Sequence, residues 1–330
     1  KNNPPLIHKT KHILLEQTML YVYRKFCNKI CNSIRFIFMN LPEGFSAEEP
    51  KQDQLEDMDL WILSEFDATL DRYEKAYKDY HFFEMANSIY EFVWGNFCDW
   101  YLELTKARIY GNVSPESQKT ALLVLVSILK KALGLLHPFM PFITEEIHSL
   151  LSTEELAKTL FPLAYGVRRD NPSVVRVQLV QEMITKVRNM RAELGVTPDK
   201  KCKILLKFQN DALQIMMERE KKSILQLAKA ESIEFVTEYN LKPTDSVGAF
   251  SIGEIILPLE GIFDFEKEKQ RLEKEKKQIQ SEMEKLENKI HNPAFLEKAK
   301  PEVVEKEKEK YNTWKEKLET TMRALEKIER

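Results

Sequence analysis

At 330 residues the chain is longer than one hydrophobic core usually fills, so more than one domain is expected. Hydrophobic residues at 43%, charged residues at 31% and only 9 glycines argue against a β-rich fold and for long helices with solvated faces, a mainly α protein. A formal net charge of -2 excludes a global field that would draw the chain onto nucleic acid, so any RNA contact has to come from local basic faces. Cys27, Cys31, Cys98 and Cys202 are too scattered for a secreted disulfide framework and fit a reducing, cytoplasmic setting. No run reaches the roughly 18 apolar residues of a membrane span, and the first residues lack a signal-peptide core. A soluble chain without a membrane partner is expected.

Taken in chain order, Phe26, Ile30, Ile34 and Ile37, with apolar neighbours back to Ile13, predict one or two helices over 13–40, closed by Pro42 and Gly44. The polar, acidic stretch from Pro50 to Asp59 reads as a linker. Trp61, Phe66, Leu70, Tyr73 and Tyr77 then resume the helical period over 60–79. A third, aromatic-rich helix is predicted over 81–109, ended by Gly111, and a fourth from Ser114-Pro115 to about Leu136, with proline in its first turn. His137-Pro138 stops that helix, because proline lacks a backbone donor and disfavours helix at the residue before it. A short fifth helix follows over 141–151, its first turn carrying Thr144, Glu145 and Glu146 where the helix dipole favours them. Five helices on short connections predict an antiparallel bundle.

The aperiodic stretch from Phe161 to Pro172 marks a boundary. Beyond it a helix over 174–194 ended by Gly195, a strand over 203–208, a helix over 211–230 and strand-like runs over 233–236 and 250–258 predict a small α+β unit. From Asp264 onward Phe265, Leu272, Ile279 and Leu286 recur every seven residues, with Met283 and Ile290 beside them. The pattern breaks at His291-Asn292-Pro293 and resumes after Pro301 with Val304, Tyr311, Leu318 and Leu325, Trp314 and Ile328 forming the companion seam. Two such helices bury their seams best by folding back on each other, as a hairpin of about 40 Å at 1.5 Å per residue. The expected organisation is a helical bundle over 1–165, a small α+β connecting domain over 173–260 and a long antiparallel coiled-coil hairpin over 261–330.

Four stretches resemble, in order, the C-terminal region of valyl-tRNA synthetases. KFCNKICNSIRFIFMNL at 25–41 looks like the helix that follows the catalytic domain in class I synthetases for aliphatic amino acids, with Cys31 where the family commonly has Trp. EFVWGNFCDWYLELTK at 91–106 is similar to a stretch inside the anticodon-binding bundle, and LLHPFMPFITEEI at 135–147 recurs across valyl, isoleucyl and leucyl relatives. KVRNMRAELGVTPDKK at 186–201, followed by a hairpin with the turn NPAFLEKAKPEVVEKEKEK at 292–310, resembles the valyl C-terminal arm. The resemblance implies the tRNA-binding portion of a valine-tRNA ligase, which joins valine to its tRNA using ATP: a bundle that recognises the anticodon, an arm at the outer corner of the tRNA, and a monomer with valine-specific tRNA as its partner. HIGH-like and KMSKS-like motifs are missing, and there is no room for a nucleotide-binding fold or an editing domain. The catalytic and editing domains are therefore expected to be absent from this chain, which alone should not activate valine. No cofactor is expected in it, ATP belonging to the parent enzyme.

Several residues carry the chemistry of RNA recognition. Trp94, Asp99, Trp100 and Tyr101 share one helix, where exposed aromatic rings stack on unpaired bases and Asp99 or Asn96 reads base edges. Burial is the opposing reading, and it is the favoured one for Trp94 and Phe97. Trp100 and Tyr101 cannot both face a core, since neighbours on a helix point about 100° apart. Lys186, Arg188 and Arg191 offer guanidinium and ammonium groups for phosphates, a solvated basic face being the alternative. Arg24, Lys25, Lys29 and Arg35 form a strip without an acidic residue, directed at tRNA or at a catalytic domain. At the hairpin tip Lys289, Phe295, Lys298 and Lys300 combine a base-stacking ring with phosphate-binding cations. Cys27 and Cys31 lie one turn apart without a second Cys or His pair nearby, so no metal site is expected, and no nucleophile-base-acid set stands out. A structural coiled-coil interaction protein without RNA function is the alternative reading of the whole chain.

Overall fold

The computed structural model describes the backbone of residues 6–46, 48–111, 113–197, 199–261, 265–292 and 301–329, and side chains within those ranges from residue 23 on, except 265–268, 301–303, 324 and 326–329. The chain divides into two compact units, one of Lys1–Glu182 with Asp211–Leu227 and one of Met183–Asn210 with Ala228–Arg330. The fold is mainly α with one small mixed sheet.

The first unit is an antiparallel helical bundle. Helix α1 (Leu6–Asn40) buries Phe26, Ile30, Ile34 and Ile37, one stripe at helical spacing. Helix α2 (Asp57–Lys78) begins inside the stretch expected to be a linker. A capping box starts it there: the Glu56 N–H donates to Asp59 Oδ2 at 3.0 Å, and the Glu56 side chain accepts from the backbone N–H of Asp59. Helix α2 stops at a left-handed residue, Tyr80 with φ 58°, and the His81 N–H closes the end on the Ala76 carbonyl at 2.8 Å.

Helix α3 (Phe82–Glu91), a π-helical stretch (Phe92–Tyr101) and helix α4 (Leu102–Tyr110) then form one rod over the range expected to be a single helix. Helix α5 (Pro115–Leu136) has Ser114 as its cap, the hydroxyl accepting from the Ser117 N–H at 3.1 Å, and α6 (Pro141–Ser149) also opens on proline. Cross-links fix the directions. Arg72 pairs with Glu91, Asn96 with Glu65 and Tyr101 with Asp59, so α2 and the α3–α4 rod are antiparallel. Phe26 packs on Tyr90, whereas Asn40 bonds Tyr110, so α1 runs parallel to that rod. Trp61, Phe66, Phe92, Phe97 and Tyr101 are almost wholly buried between these helices. Each large apolar side chain removed from water stabilises the fold by about 1.5–3 kcal/mol.

A buried ion network ties the bundle together. Asp59, with no exposed surface, accepts from Arg108 Nη1 at 2.7 Å and from the Tyr101 hydroxyl at 2.5 Å. Arg108 also donates to the Ser117 hydroxyl and carbonyl and lies 3.3 Å from Glu56. Burial and the Asp59 charge push the Tyr101 phenol well above its ordinary range, so it remains a neutral donor. Helix α7 (Pro172–Glu193) contributes Arg176, which holds Asp57 through two bonds at 3.0 and 3.1 Å. Helices α8 (Asp211–Arg219) and α9 (Lys221–Ala228), expected as one helix over 211–230, break at Glu220. Arg219 approaches Asp57 at 3.4 Å, and the Ser223 hydroxyl donates to the Leu104 carbonyl at 3.1 Å.

The second unit holds the sheet and the long hairpin. Strands β1 (Cys202–Lys207), β2 (Ala230–Phe235), β3 (Asp245–Phe250) and β4 (Gly253–Pro258) take the spatial order β2-β1-β4-β3, β1 and β2 being parallel and the other pairs antiparallel. The parallel pair needs a long crossover, which α8 and α9 supply. The run expected as one strand over 250–258 is instead the end of β3 and all of β4, joined by a tight turn. Gly248 of β3 lies close under α7: a Cβ there would lie 2.6 Å from Met190 Sδ and 2.8 Å from Lys186 Cε, so the ends of those two flexible side chains would have to move.

Helices α10 (Phe265–Ile290) and α11 (Pro301–Glu329) pack against each other. Lys289 pairs with Glu307 and Glu275 with Lys317, which makes them antiparallel. Leu272, Ile279 and Leu325 are buried at the expected seam, yet so are Glu307 and Thr321, making the companion seam partly polar. Hydrogen bonding from Lys310 and Lys289 holds the Glu307 carboxyl below the usual range.

Candidate nucleic-acid interface

The aromatic hallmark of the bundle lies in the π-helical stretch. Residues five apart stand about 140° apart round an α-helix, but the wider turn of a π-helix, closed by bonds from i to i+5, brings them toward one face. Trp94 and Asp99 use this. The Lys29 ammonium of α1 lies 3.9 Å from the Trp94 ring centre and 2.6 Å from Asp99 Oδ1, so both engage one cation. Trp94 is half-buried, stacked beside Tyr90 at 5.9 Å and Phe26 at 6.3 Å, while Phe97 is in the core.

Tyr101 faces inward to Asp59, and Trp100 is half-buried. Asn96 donates to Glu65 at 3.0 Å, and Arg169 reaches the same carboxylate oxygen at 3.2 Å. Along α1, Arg24, Lys25, Asn28, Asn32 and Arg35 are exposed, and Arg35 donates to the Asn32 amide oxygen at 2.8 Å. Lys29, which the strip was expected to include, is turned in to Asp99 and Trp94. The amides Asn28 and Asn32 went unremarked in the sequence, although they share the spacing of the cations; their signal is the lack of any acidic residue between Glu16 and Glu43.

In the second unit Arg188 is exposed on α7, but Arg191, expected as its phosphate-binding partner, is buried. Its guanidinium donates to the carbonyls of Ala228 at 3.1 Å, Thr197 at 2.9 Å, Lys200 at 2.7 Å and also Lys229. Five donors in a rigid fork suit such a cage, and they leave the group to hold backbone rather than phosphate. On the hairpin Lys289 is half-exposed and 3.4 Å from Glu307. Phe295, Lys298 and Lys300 lie outside the described residues.

Cys27 is half-buried, and burial together with its neighbour Cys31 pushes its thiol up, which disfavours the thiolate that a metal needs. Among the described residues no cluster of three or more His, Cys, Asp or Glu could hold a metal ion, and no helix is long and apolar enough to cross a membrane.

Residues 59–206 match the anticodon-binding domain of tRNA ligase, and residues 264–329 match the valyl tRNA synthetase tRNA binding arm. The valine--tRNA ligase of Carboxydothermus hydrogenoformans is 40% identical over 289 residues, 87% of this chain and 32% of the relative. Those of Aquifex aeolicus and Thermotoga maritima are each 36% identical over 96% of this chain, covering 28% and 36% of their own lengths. The chain thus spans about a third of the length of these curated relatives. With an anticodon-binding bundle, a tRNA-binding arm and these relatives, the chain belongs to the valyl-tRNA synthetase family and corresponds to the C-terminal part of its members.

Proposed function

We propose that this chain binds valine tRNA, the bundle at the anticodon stem-loop and the hairpin at the outer corner, and holds the tRNA for a ligase centre that uses ATP and lies outside these residues. The observation that carries this is the exposed face of α1. Arg24, Lys25 and Arg35 are exposed there with Asn28 and Asn32, α1 itself has no acidic residue between Glu16 and Glu43, and the Trp94 ring lies against Lys29 of the same helix. Cations bind phosphates, amides read base edges, and aromatic rings stack on unpaired bases. Holding a bound tRNA in place converts part of the entropy of association into orientation of its acceptor end.

Arg188 and the tip residues Lys289, Phe295, Lys298 and Lys300 belong to the second contact in this reading. The seams of α10 and α11 are occupied within one chain. This supports a monomer over the alternative of a coiled-coil protein that pairs between chains. Four free cysteines suit the cytoplasm.

Fluorescence anisotropy with valine tRNA and a non-cognate tRNA, from about 50 to 300 mM salt, tests the reading. Phosphate contacts release counterions, so affinity falls steeply with salt. Replacing Arg24 and Arg35 by Gln reduces the salt slope by about 2, roughly 1 per lost phosphate contact. Trp100→Ala weakens binding by about 1–3 kcal/mol through lost stacking. Equal, salt-independent binding of every tRNA overturns the proposal.

A further inference from the structure

Cys27 and Cys31 give α1 a chemistry that tRNA binding does not use. They lie one turn apart on that helix. At about 100° per residue, both fall between the buried stripe of Phe26, Ile30, Ile34 and Ile37 and the exposed Arg24, Asn28 and Arg35. Solvent reaches these two thiols and not the others: Cys31 is exposed and Cys27 half-buried, whereas Cys98 and Cys202 are buried. Burial also pushes the Cys98 thiol up to about 11, although the Ser33 hydroxyl donates to its sulfur at 3.1 Å. A thiol that stays protonated is a poor nucleophile, so an oxidant arriving from solvent meets one reactive dithiol.

Distance makes this pair a switch rather than a staple. Four residues apart in an α-helix, two Cα atoms are about 6 Å apart, within the roughly 4.4–6.8 Å that a disulfide spans. Their Cβ atoms, however, stand about 5–6 Å apart, where a disulfide needs about 3.8 Å. The bond closes only if the turn between the two residues distorts. Strained disulfides are the easily reduced, regulatory ones, and a reducing compartment keeps such a pair open at rest.

The turn that must distort carries Asn28 and Lys29. Asn28 belongs to the proposed tRNA face, and the Lys29 ammonium lies 3.9 Å from the Trp94 ring centre and 2.6 Å from Asp99 Oδ1. A movement of about 1–2 Å, the mismatch in Cβ spacing, therefore reaches the cation that joins α1 to the π-helical stretch.

We propose that Cys27 and Cys31 form a peroxide-sensitive dithiol site: closing it to a disulfide distorts the turn at 27–31, draws Lys29 away from Trp94 and Asp99, and weakens tRNA binding. Only the last of these effects rests on the tRNA reading above. The Cys31 thiolate attacks hydrogen peroxide, the O–O bond breaks and hydroxide leaves, giving a sulfenic acid. The Cys27 thiol then loses its proton and attacks the Cys31 sulfur. The S–S bond forms, the S–O bond breaks and water departs. Two thiols and one peroxide thus become one disulfide and two waters, with two electrons passing from sulfur to oxygen.

The test treats the reduced chain with hydrogen peroxide and follows the mass of the peptic peptide spanning residues 27–31, tryptophan emission, and tRNA affinity by anisotropy. Expected are the loss of two hydrogen atoms from that peptide, a change in emission that Trp94→Phe removes, and an affinity lower by about tenfold, the weight of one good contact. Dithiothreitol reverses all three. Cys27→Ser and Cys31→Ser each leave the melting temperature and tRNA affinity of the reduced chain unchanged and abolish the response to peroxide. Peroxide that leaves the pair unjoined overturns the proposal, as does a disulfide that forms with emission and affinity unchanged. A Cys27→Ser chain whose affinity still falls with peroxide also overturns it, since oxidation of Cys31 alone would then suffice. If the reduced chain binds no tRNA, the proposed function fails, and the dithiol stands or falls on mass and emission.

Discussion

Charged residues are abundant in both the bundle and the α10–α11 hairpin, but they do different work. In the bundle Arg108 and Asp59 are buried and paired with each other, with the partly covered Glu56 beside them. In the hairpin the pairs Arg271–Glu275, Lys285–Glu282 and Lys317–Glu275 lie at the surface, one or two turns from similar pairs. Enclosed charges fix a unique packing and are costly to disrupt one at a time, whereas surface charges mainly provide solubility and are interchangeable.

Substitutions rank this contrast. Arg108→Leu strands the Asp59 carboxylate in the core, and urea denaturation of the chain should show a loss of about 3–5 kcal/mol. A loss below about 1 kcal/mol would place the network among the interchangeable charges. Arg191→Met should cost about 3 kcal/mol by leaving buried carbonyls without donors, with the salt slope of tRNA binding unaltered. A slope lowered by about 1 would instead make Arg191 a phosphate contact.

The third test is pH dependence. Burial pushes the Glu220 carboxyl up, although Arg219 and Arg108 oppose it. A carboxyl raised in the folded state destabilises the fold when ionised, so its penalty fades as pH falls from that raised value toward the ordinary Glu value of about 4.3. Asp57 has the opposite sign. Burial alone would raise it, but bonds from Arg176 and Ser173 hold it low, so its contribution is present above the ordinary Asp value and is lost as pH falls through its depressed one. Glu220→Gln should therefore raise stability at pH 7 and flatten the melting temperature between pH 7 and about 4.5, leaving the acid loss due to Asp57 in place. The smallest effect is expected of Lys317→Gln in the hairpin, within about 0.5 kcal/mol by thermal melting.

The same contrast explains what could be read from the sequence. Heptads in 265–329 are local and periodic, so the hairpin and its seam positions Leu272, Ile279 and Leu325 were legible from spacing alone. The acidic run at 56–59 looked like a linker because its partners, Tyr101, Arg108, Ser117, Arg176 and Arg219, lie 42 or more residues away and share no spacing with it. The π-helical stretch at Phe92–Tyr101 has apolar spacing that reads equally as an α-helix, so the sequence did not distinguish the two. Strand β3 was missed because it exposes Val247 and Ala249 and has little apolar pattern of its own. At the candidate interface residue type marked Trp94, Asp99 and the α1 strip as candidates, but not that Lys29 turns in to Asp99 and Trp94. That Arg191 turns inward while Arg188 turns out follows from carbonyls of residues 197, 200, 228 and 229, which no one-dimensional pattern brings together.

Helices α8 and α9 are counted with the bundle although strands of the second unit flank them in sequence. A truncated chain ending after β1 would therefore contain helices α1–α7 and still lack part of its own bundle. Leu213, Met216, Met217 and Ile224 would be missing from the core, Asp57 would lose Arg219, and the Leu104 carbonyl its Ser223 donor. Dissection at the apparent sequence boundaries thus cuts through a folding unit. The two halves of this polypeptide are threaded through each other's sequence, and a faithful separation would need residues 211–227 to be carried over by circular permutation or an added linker.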